Sequence, residues 1–195
     1  MNLYVYIHGF NTAGNGDKAI FLREHLPEDH VISPTYPAQL PDLAIAILSD
    51  HIGRAIREIN PDHVIFVGSS LGGFYARYLA HRVFPQAYLV MINPAIDAHI
   101  IMREALGPNK NYATGEEYIF EEENFQELEN FAYLETHRVP TLVLLDEEDE
   151  LLDSKKTLAY YEEMPRVKVV CYPGGNHRFI HLDEALIEIK CLTEE

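Results

Sequence analysis

Six short runs of apolar, β-branched and aromatic residues punctuate the chain: Leu3 to Ile7, His30 to Ser33, His63 to Val67, Ala87 to Ile92, Thr141 to Leu145 and Val167 to Tyr172. Near-continuous apolarity over about five residues is the pattern of a strand buried on both faces, as parallel strands are when helices cover them. Between the second and third runs the period changes. Ile45, Leu48, Ile52, Ile56 and Ile59 recur at spacings of three and four, which places them on one stripe of a crossover helix. Leu71, Tyr75, Tyr78, Leu79 and Val83 keep a helical period until Pro85 stops it, and Asp153 to Met164 and Asp183 to Leu192 read as two further helices.

Strands alternating with helices predict an α/β fold built on about six mostly parallel strands with helices on both faces. In such a sheet the functional crevice lies outside the carboxyl ends of the strands. The alternation breaks once, over residues 98–138, which separate the fourth and fifth runs by more than a crossover needs. From Glu116 to Glu135 this segment carries eight glutamates and no Lys or Arg, interleaved with Tyr118, Ile119, Phe120, Phe125, Leu128, Phe131, Tyr133 and Leu134. A small lid over the crevice and a packed helical insertion with a solvated acidic face are both open readings.

At 195 residues, 47% hydrophobic and 24% charged, the chain fits one ordinary globular domain spanning 1–195, with the insertion inside it. The formal net charge of −16 repels phosphate backbones and anionic lipid heads, which argues against nucleic acid and anionic membranes as general partners. Cys171 and Cys191 are too few for a disulfide framework and lack metal-ligand spacing. Met1 leads directly into the first apolar run without a basic or long apolar leader, and no run approaches the ~18 residues of a membrane span. These features predict a soluble, cytoplasmic protein; its oligomeric state is not readable.

The candidate chemistry begins at Gly68-Ser69-Ser70-Leu71-Gly72, a G-x-S-x-G pattern placed after a strand and before a helix. Only Ser70 satisfies the register, because Ser69 would need glycines where Val67 and Leu71 stand. The stretch lacks the Gly-Lys of a phosphate-binding loop and the spacing of a dinucleotide fingerprint. A serine hydroxyl needs a base, and the base needs an orienting carboxylate. With this elbow the chain order is Ser, acid, His. Gly174-Gly175-Asn176-His177 follows the last strand and offers His177 as the base, with His181 the closest competitor. After the fifth strand, Asp146 ends the strand, Asp153 reads as a helix cap, and Asp149 in the loop between them is the acid of choice. The oxyanion donors are the Leu71 amide and, from the loop His8-Gly9-Phe10-Asn11, the Phe10 amide. His8 itself reads as a residue that shapes the loop, with contact to substrate as the alternative.

Together, HGF at the first strand, GSSLGG at the third, the acid after the fifth and GGNH after the last resemble the α/β-hydrolase superfamily. More specifically, YIHGF, GSSLGGFYA, INPA, YATGEEY, DEEDELLD and GGNHRF resemble the compact bacterial YqiA-like esterases over nearly the whole chain. The resemblance implies Ser70, Asp149 and His177 as a triad. It also implies a strand order of 2-1-3-4-5-6, lacking the first two strands of larger hydrolases. One position departs from the family pattern: relatives commonly have glycine in the turn where this chain has Glu147-Glu148. The expected activity is hydrolysis of acyl esters through an acyl-enzyme, without metal or organic cofactor. The alternatives are hydrolysis of acyl-CoA or other thioesters, and a non-catalytic binding module on the same fold.

Overall fold

The structure is a computed structural model and describes residues 1–132 and 138–193; Tyr133, Leu134 and Glu135 of the acidic insertion lie outside the described residues. A six-stranded, all-parallel sheet forms its centre. Its strands are β1 (Leu3–Ile7), β2 (His30–Ile32), β3 (Val64–Ser69), β4 (Tyr88–Ile92), β7 (Thr141–Asp146) and β8 (Val167–Tyr172), in the order β2-β1-β3-β4-β7-β8. This is the expected 2-1-3-4-5-6 order. The order reverses between β1 and β3, where Val5 pairs with Phe66 and Ile7 with Gly68. Loops leaving these two strands at their carboxyl ends diverge, and the crevice opens there.

Alternate residues of each strand feed two separate cores, which explains the unbroken apolar runs. Leu3, Val5 and Ile7 pack against α2 (Pro41–Ile59) and α3 (Leu71–Tyr78); Tyr4 and Tyr6 face α1 (Asp17–His25) and α7 (Leu182–Cys191). The stripe on α2 buries Ala44, Ile45, Leu48 and Ile52. Pro41 opens this helix and Asn60, in the left-handed region at φ 49°, closes it through its amide on the Ile56 carbonyl. Between β7 and β8, α6 (Ser154–Tyr161) starts at Asp153, whose side chain accepts from the Lys156 amide at 3.0 Å, as a cap should. The helix after Ser70 widens into a single π-type turn over Leu79–Val83 before Pro85.

The insertion between β4 and β7 contains α4 (Ala98–Ile101) and α5 (Glu122–Glu127), and also an antiparallel hairpin of β5 (Gly107–Lys110) and β6 (Glu117–Phe120). Its Phe120, Phe125, Leu128 and Phe131 are buried in the same core as α2 and α3. Glu116, Glu117, Glu121, Glu122, Glu123 and Glu129 remain exposed. The hairpin is also fastened to the loop after β1. Tyr112 donates its amide to the Asn11 carbonyl at 3.0 Å, Asn111 Nδ2 donates to the Thr12 carbonyl at 3.0 Å, and the Tyr118 hydroxyl donates to Asn11 Oδ1. Phe10 sits edge-on to Tyr118 and Phe120, with ring centroids 6.1 and 5.4 Å away. Among the described residues, no helix is long and apolar enough to cross a membrane.

Candidate active site

Ser70 occupies the turn between β3 and α3 at φ 54° and ψ −123°, a conformation that side chains other than glycine rarely adopt. Neighbouring contacts hold it there. The Ser70 amide donates to the Ile92 carbonyl at 3.0 Å, and its carbonyl accepts from Gly73 and Ala95 at 2.9 and 3.1 Å. Gly72 is required by close approach, since a Cβ at that position would stand 2.0 Å from the Ile7 carbonyl oxygen. The absence of a side chain at Gly72 therefore lets β1 pass directly over the start of α3.

The three predicted side chains meet. His177 Nε2 lies 3.1 Å from Ser70 Oγ, and His177 Nδ1 lies 2.9 Å from Asp149 Oδ2 and 3.0 Å from Oδ1. An Nδ1–H donating to Asp149 leaves Nε2 as acceptor for the serine hydroxyl. The Asp149 side chain is 2% exposed, and its Oδ1 also accepts the Leu151 and Leu152 amides, both at 2.9 Å. Burial alone would raise this carboxyl, but the hydrogen bond from His177 and those from the two amides outweigh it and hold Asp149 below its ordinary value. Glu150 grips the same histidine from its backbone side, accepting the His177 amide at 2.9 Å. Glu147 and Glu148 do not need the left-handed region. Their amides donate to the Tyr172 and Gly174 carbonyls at 3.0 and 2.9 Å, so the turn closes with ordinary residues.

Phe10 and Leu71 flank Ser70 from β1 and α3, and neither amide donates to another group among the described residues. His8 is 1% exposed and serves the loop, as expected. Its Nδ1 donates to the Gly9 carbonyl at 2.9 Å and its Nε2 accepts the Tyr36 amide at 3.3 Å. A cavity of about 750 Å3, within the ordinary range for small-molecule sites, runs from Gly9 and Phe10 across Ser70 and His177 to Tyr112 on the hairpin.

A second Asp–His pair lies behind the first. Asp146 is fully buried at the end of β7 and accepts His181 Nδ1 at 2.7 Å, together with the Asn176 and Ile180 amides at 3.1 and 3.0 Å. Asn93, left-handed at φ 39°, bridges this pair to the loop: its Oδ1 accepts the Asp146 amide at 2.9 Å and its Nδ2 donates to the Asn176 carbonyl at 3.0 Å. The His177 loop is thus pinned on both sides of the imidazole.

A family model matches residues 3–194, that of an uncharacterised protein family designated UPF0227. The chain belongs to the UPF0227 family. A UPF0227 protein of Yersinia pseudotuberculosis serotype O:1b is 27% identical over 194 residues, covering 96% of this chain and 97% of its own. Est1E from Butyrivibrio proteoclasticus is similar in structure over 100% of this chain and 89% of its own, with a TM-score of 0.81 and 18% identity. For alpha/beta hydrolase domain-containing protein 10 from mouse the coverage is 99% and 90%, the TM-score 0.73 and the identity 20%. The fold of this UPF0227 member is that of the α/β hydrolases.

Two features of the site escape sequence reasoning. Asp146 reads as a strand end and His181 as a rival base, yet they pair with each other and His181 turns away from Ser70. The only hint is their separation, since each stands three or four residues from a member of the Asp149–His177 pair. Lys18 lies on α1, a helix that buries only Ala19 and Leu22 and has almost no amphipathic pattern, and it nonetheless lines the cavity.

Proposed function

We propose that the chain is a serine hydrolase of acyl esters. The observation that carries this reading is the continuous chain of hydrogen bonds from Ser70 through His177 to a buried Asp149, at the wall of a ligand-sized cavity. Ser70 Oγ attacks the ester carbonyl carbon while His177 Nε2 takes the hydroxyl proton. Asp149 keeps the imidazole in the required tautomer and stabilises it when charged. The Phe10 and Leu71 amides receive the carbonyl oxygen as it becomes an oxyanion. The tetrahedral centre collapses with loss of the alcohol, which takes the proton from His177. Water then adds to the acyl-serine by the same route, giving the acid and free Ser70. All groups in these steps belong to the protein, the substrate or water.

Hydrolysis of 4-nitrophenyl butyrate by purified protein, lost in Ser70→Ala, tests the reading together with covalent labelling of Ser70 by a fluorophosphonate. Undiminished turnover in folded Ser70→Ala protein would overturn it. Folded wild-type protein that neither turns over esters nor takes the label would instead favour a binding module.

A further inference from the structure

The cavity beside Ser70 holds positive charge that ester hydrolysis does not use. Lys18, on the first turn of α1, and Arg178, directly after His177, both line it, against the single carboxylate of Asp17. This is unexpected in a chain with 31 Asp and Glu against 15 Lys and Arg. Elsewhere, Arg54, Arg103, Lys110, Lys156 and Lys168 each reach a carboxylate, whereas Arg23, Arg57, Arg77, Lys155 and Lys190 reach none of the described residues' carboxylates within 4.0 Å but lie outside the cavity. Among the described residues, neither Lys18 nor Arg178 has a carboxylate within 4.0 Å. The Lys18 ammonium instead donates to the Arg178 carbonyl at 2.6 Å, which fixes it on the loop that carries the catalytic imidazole. One carbonyl satisfies one of its three protons and none of its charge.

A partly buried cation that Asp17 and Asp146 reach only from beyond 4.0 Å is incompletely compensated, and an anionic ligand relieves the remaining cost. Burial pushes Lys18 down to about 8, against the opposing pull of Asp17 and Asp146, while Arg178 adds to the lowering. It is still mainly charged at neutral pH. Arg178 is exposed and can swing its planar guanidinium to meet two oxygens of a carboxylate or phosphate, next to the point charge of Lys18.

We propose that Lys18 and Arg178 form an anion subsite, so that the preferred substrates are acyl esters bearing a carboxylate or phosphate group a few bonds from the carbonyl attacked by Ser70. The proposal rests on the serine-hydrolase reading of Ser70. It sets the substrate class rather than the chemistry of cleavage.

Two matched substrate pairs test it at pH 7 and low salt. Mono-4-nitrophenyl adipate against 4-nitrophenyl hexanoate places a carboxylate on the acyl side; 3-(phosphonooxy)phenyl hexanoate against 3-methoxyphenyl hexanoate places a phosphate on the alcohol side. The anionic member of at least one pair is expected to have about tenfold higher kcat/KM, mostly through KM, and the preference shrinks in high salt. The double variant Lys18→Met/Arg178→Gln brings the ratio to about one, and Lys18→Arg retains it. Equal or better use of the neutral member in both pairs overturns the proposal, as does a ratio unmoved in the double variant. Binding by Ser70→Ala protein separates this from failure of the hydrolase reading. Monomethyl adipate should bind more tightly than methyl hexanoate, or phenyl phosphate more tightly than anisole, and the difference should vanish with the double variant. If wild-type protein lacks esterase activity but this difference holds, the hydrolase reading fails and the anion subsite stands.

Discussion

Gly175 and Asp146 approach so closely that a Cβ on the glycine would lie 2.1 Å from Asp146 Oδ2. Gly175 also sits at φ 78°, which a side chain resists independently of space. Gly175→Ala must therefore displace the loop, the carboxylate or both. Ester turnover is expected to fall at least ~100-fold, because misplacement of about 1 Å is enough for that loss. Gly174→Ala has open space around its Cβ and serves as the comparison. Equal effects of the two substitutions would show that backbone angle, and not the Asp146 contact, is decisive.

The two carboxylates should separate by their effects. Asp149→Asn is expected to reduce kcat roughly 1,000-fold or more, since an amide no longer imposes the productive tautomer on His177. Asp146→Ala leaves two backbone amides and a histidine without their acceptor in a fully buried place, and should lower stability by about 3 kcal/mol. Urea unfolding and steady-state kinetics on both variants check this. A large kinetic loss from Asp146→Ala at unchanged stability would mean that it acts on the chemistry itself.

Most of this arrangement is legible in the sequence because it is local or periodic. The six sheet strands announce themselves through residues such as Val5 and Phe66, buried on whichever face they point to, and the elbow through the glycines around Ser70. The hairpin β5–β6 was hidden because Gly-Pro-Asn-Lys has no alternation to read, and its position depends on contacts to Asn11 and Thr12, about a hundred residues upstream. Asp146–His181 was hidden for a different reason. Among six acidic residues between Asp146 and Asp153, composition does not say which faces a histidine. Asp149 was separable because Asp146 ends a strand and Asp153 begins a helix.

Strain at Ser70 makes a stability prediction that activity alone cannot reveal. Ser70→Ala keeps a Cβ in an unfavourable conformation, whereas Ser70→Gly removes it. The glycine variant should be more stable than the alanine variant by about 1 kcal/mol, although glycine normally destabilises. Thermal unfolding of the two variants measures the difference. A less stable glycine variant would show that the turn is not strained.

His8 gives the protein an acid-sensitive element in the loop that carries Gly9 and Phe10 to the cavity. Burial pushes its imidazole down to about 4, against the raising effect of its bond to the Gly9 carbonyl. Between the usual histidine value near 6.5 and this lower one, the unfolded chain binds a proton that the folded chain refuses. Stability therefore falls as pH drops through that window, by up to about 3 kcal/mol. His8→Gln should show a shallower loss of urea resistance from pH 7 to pH 4.5. Parallel curves for the two proteins would assign the acid sensitivity to other groups.

The hydrogen bond between Ser70 and His177 joins residues 107 positions apart. Closing a loop of that length costs entropy that must be met before the contact rewards it. The elbow draws on β1 and β4 as well as β3 and α3, through the approach of Gly72 to Ile7 and the hydrogen bonds of Ser70 with Ile92 and Ala95. Until β8 pairs with β7 and brings its loop to the crevice, Ser70 has no imidazole beside it. The Ser70–His177 hydrogen bond therefore exists only once β3, β7 and β8 have assembled, which makes the pair a property of the whole sheet and not of the elbow alone.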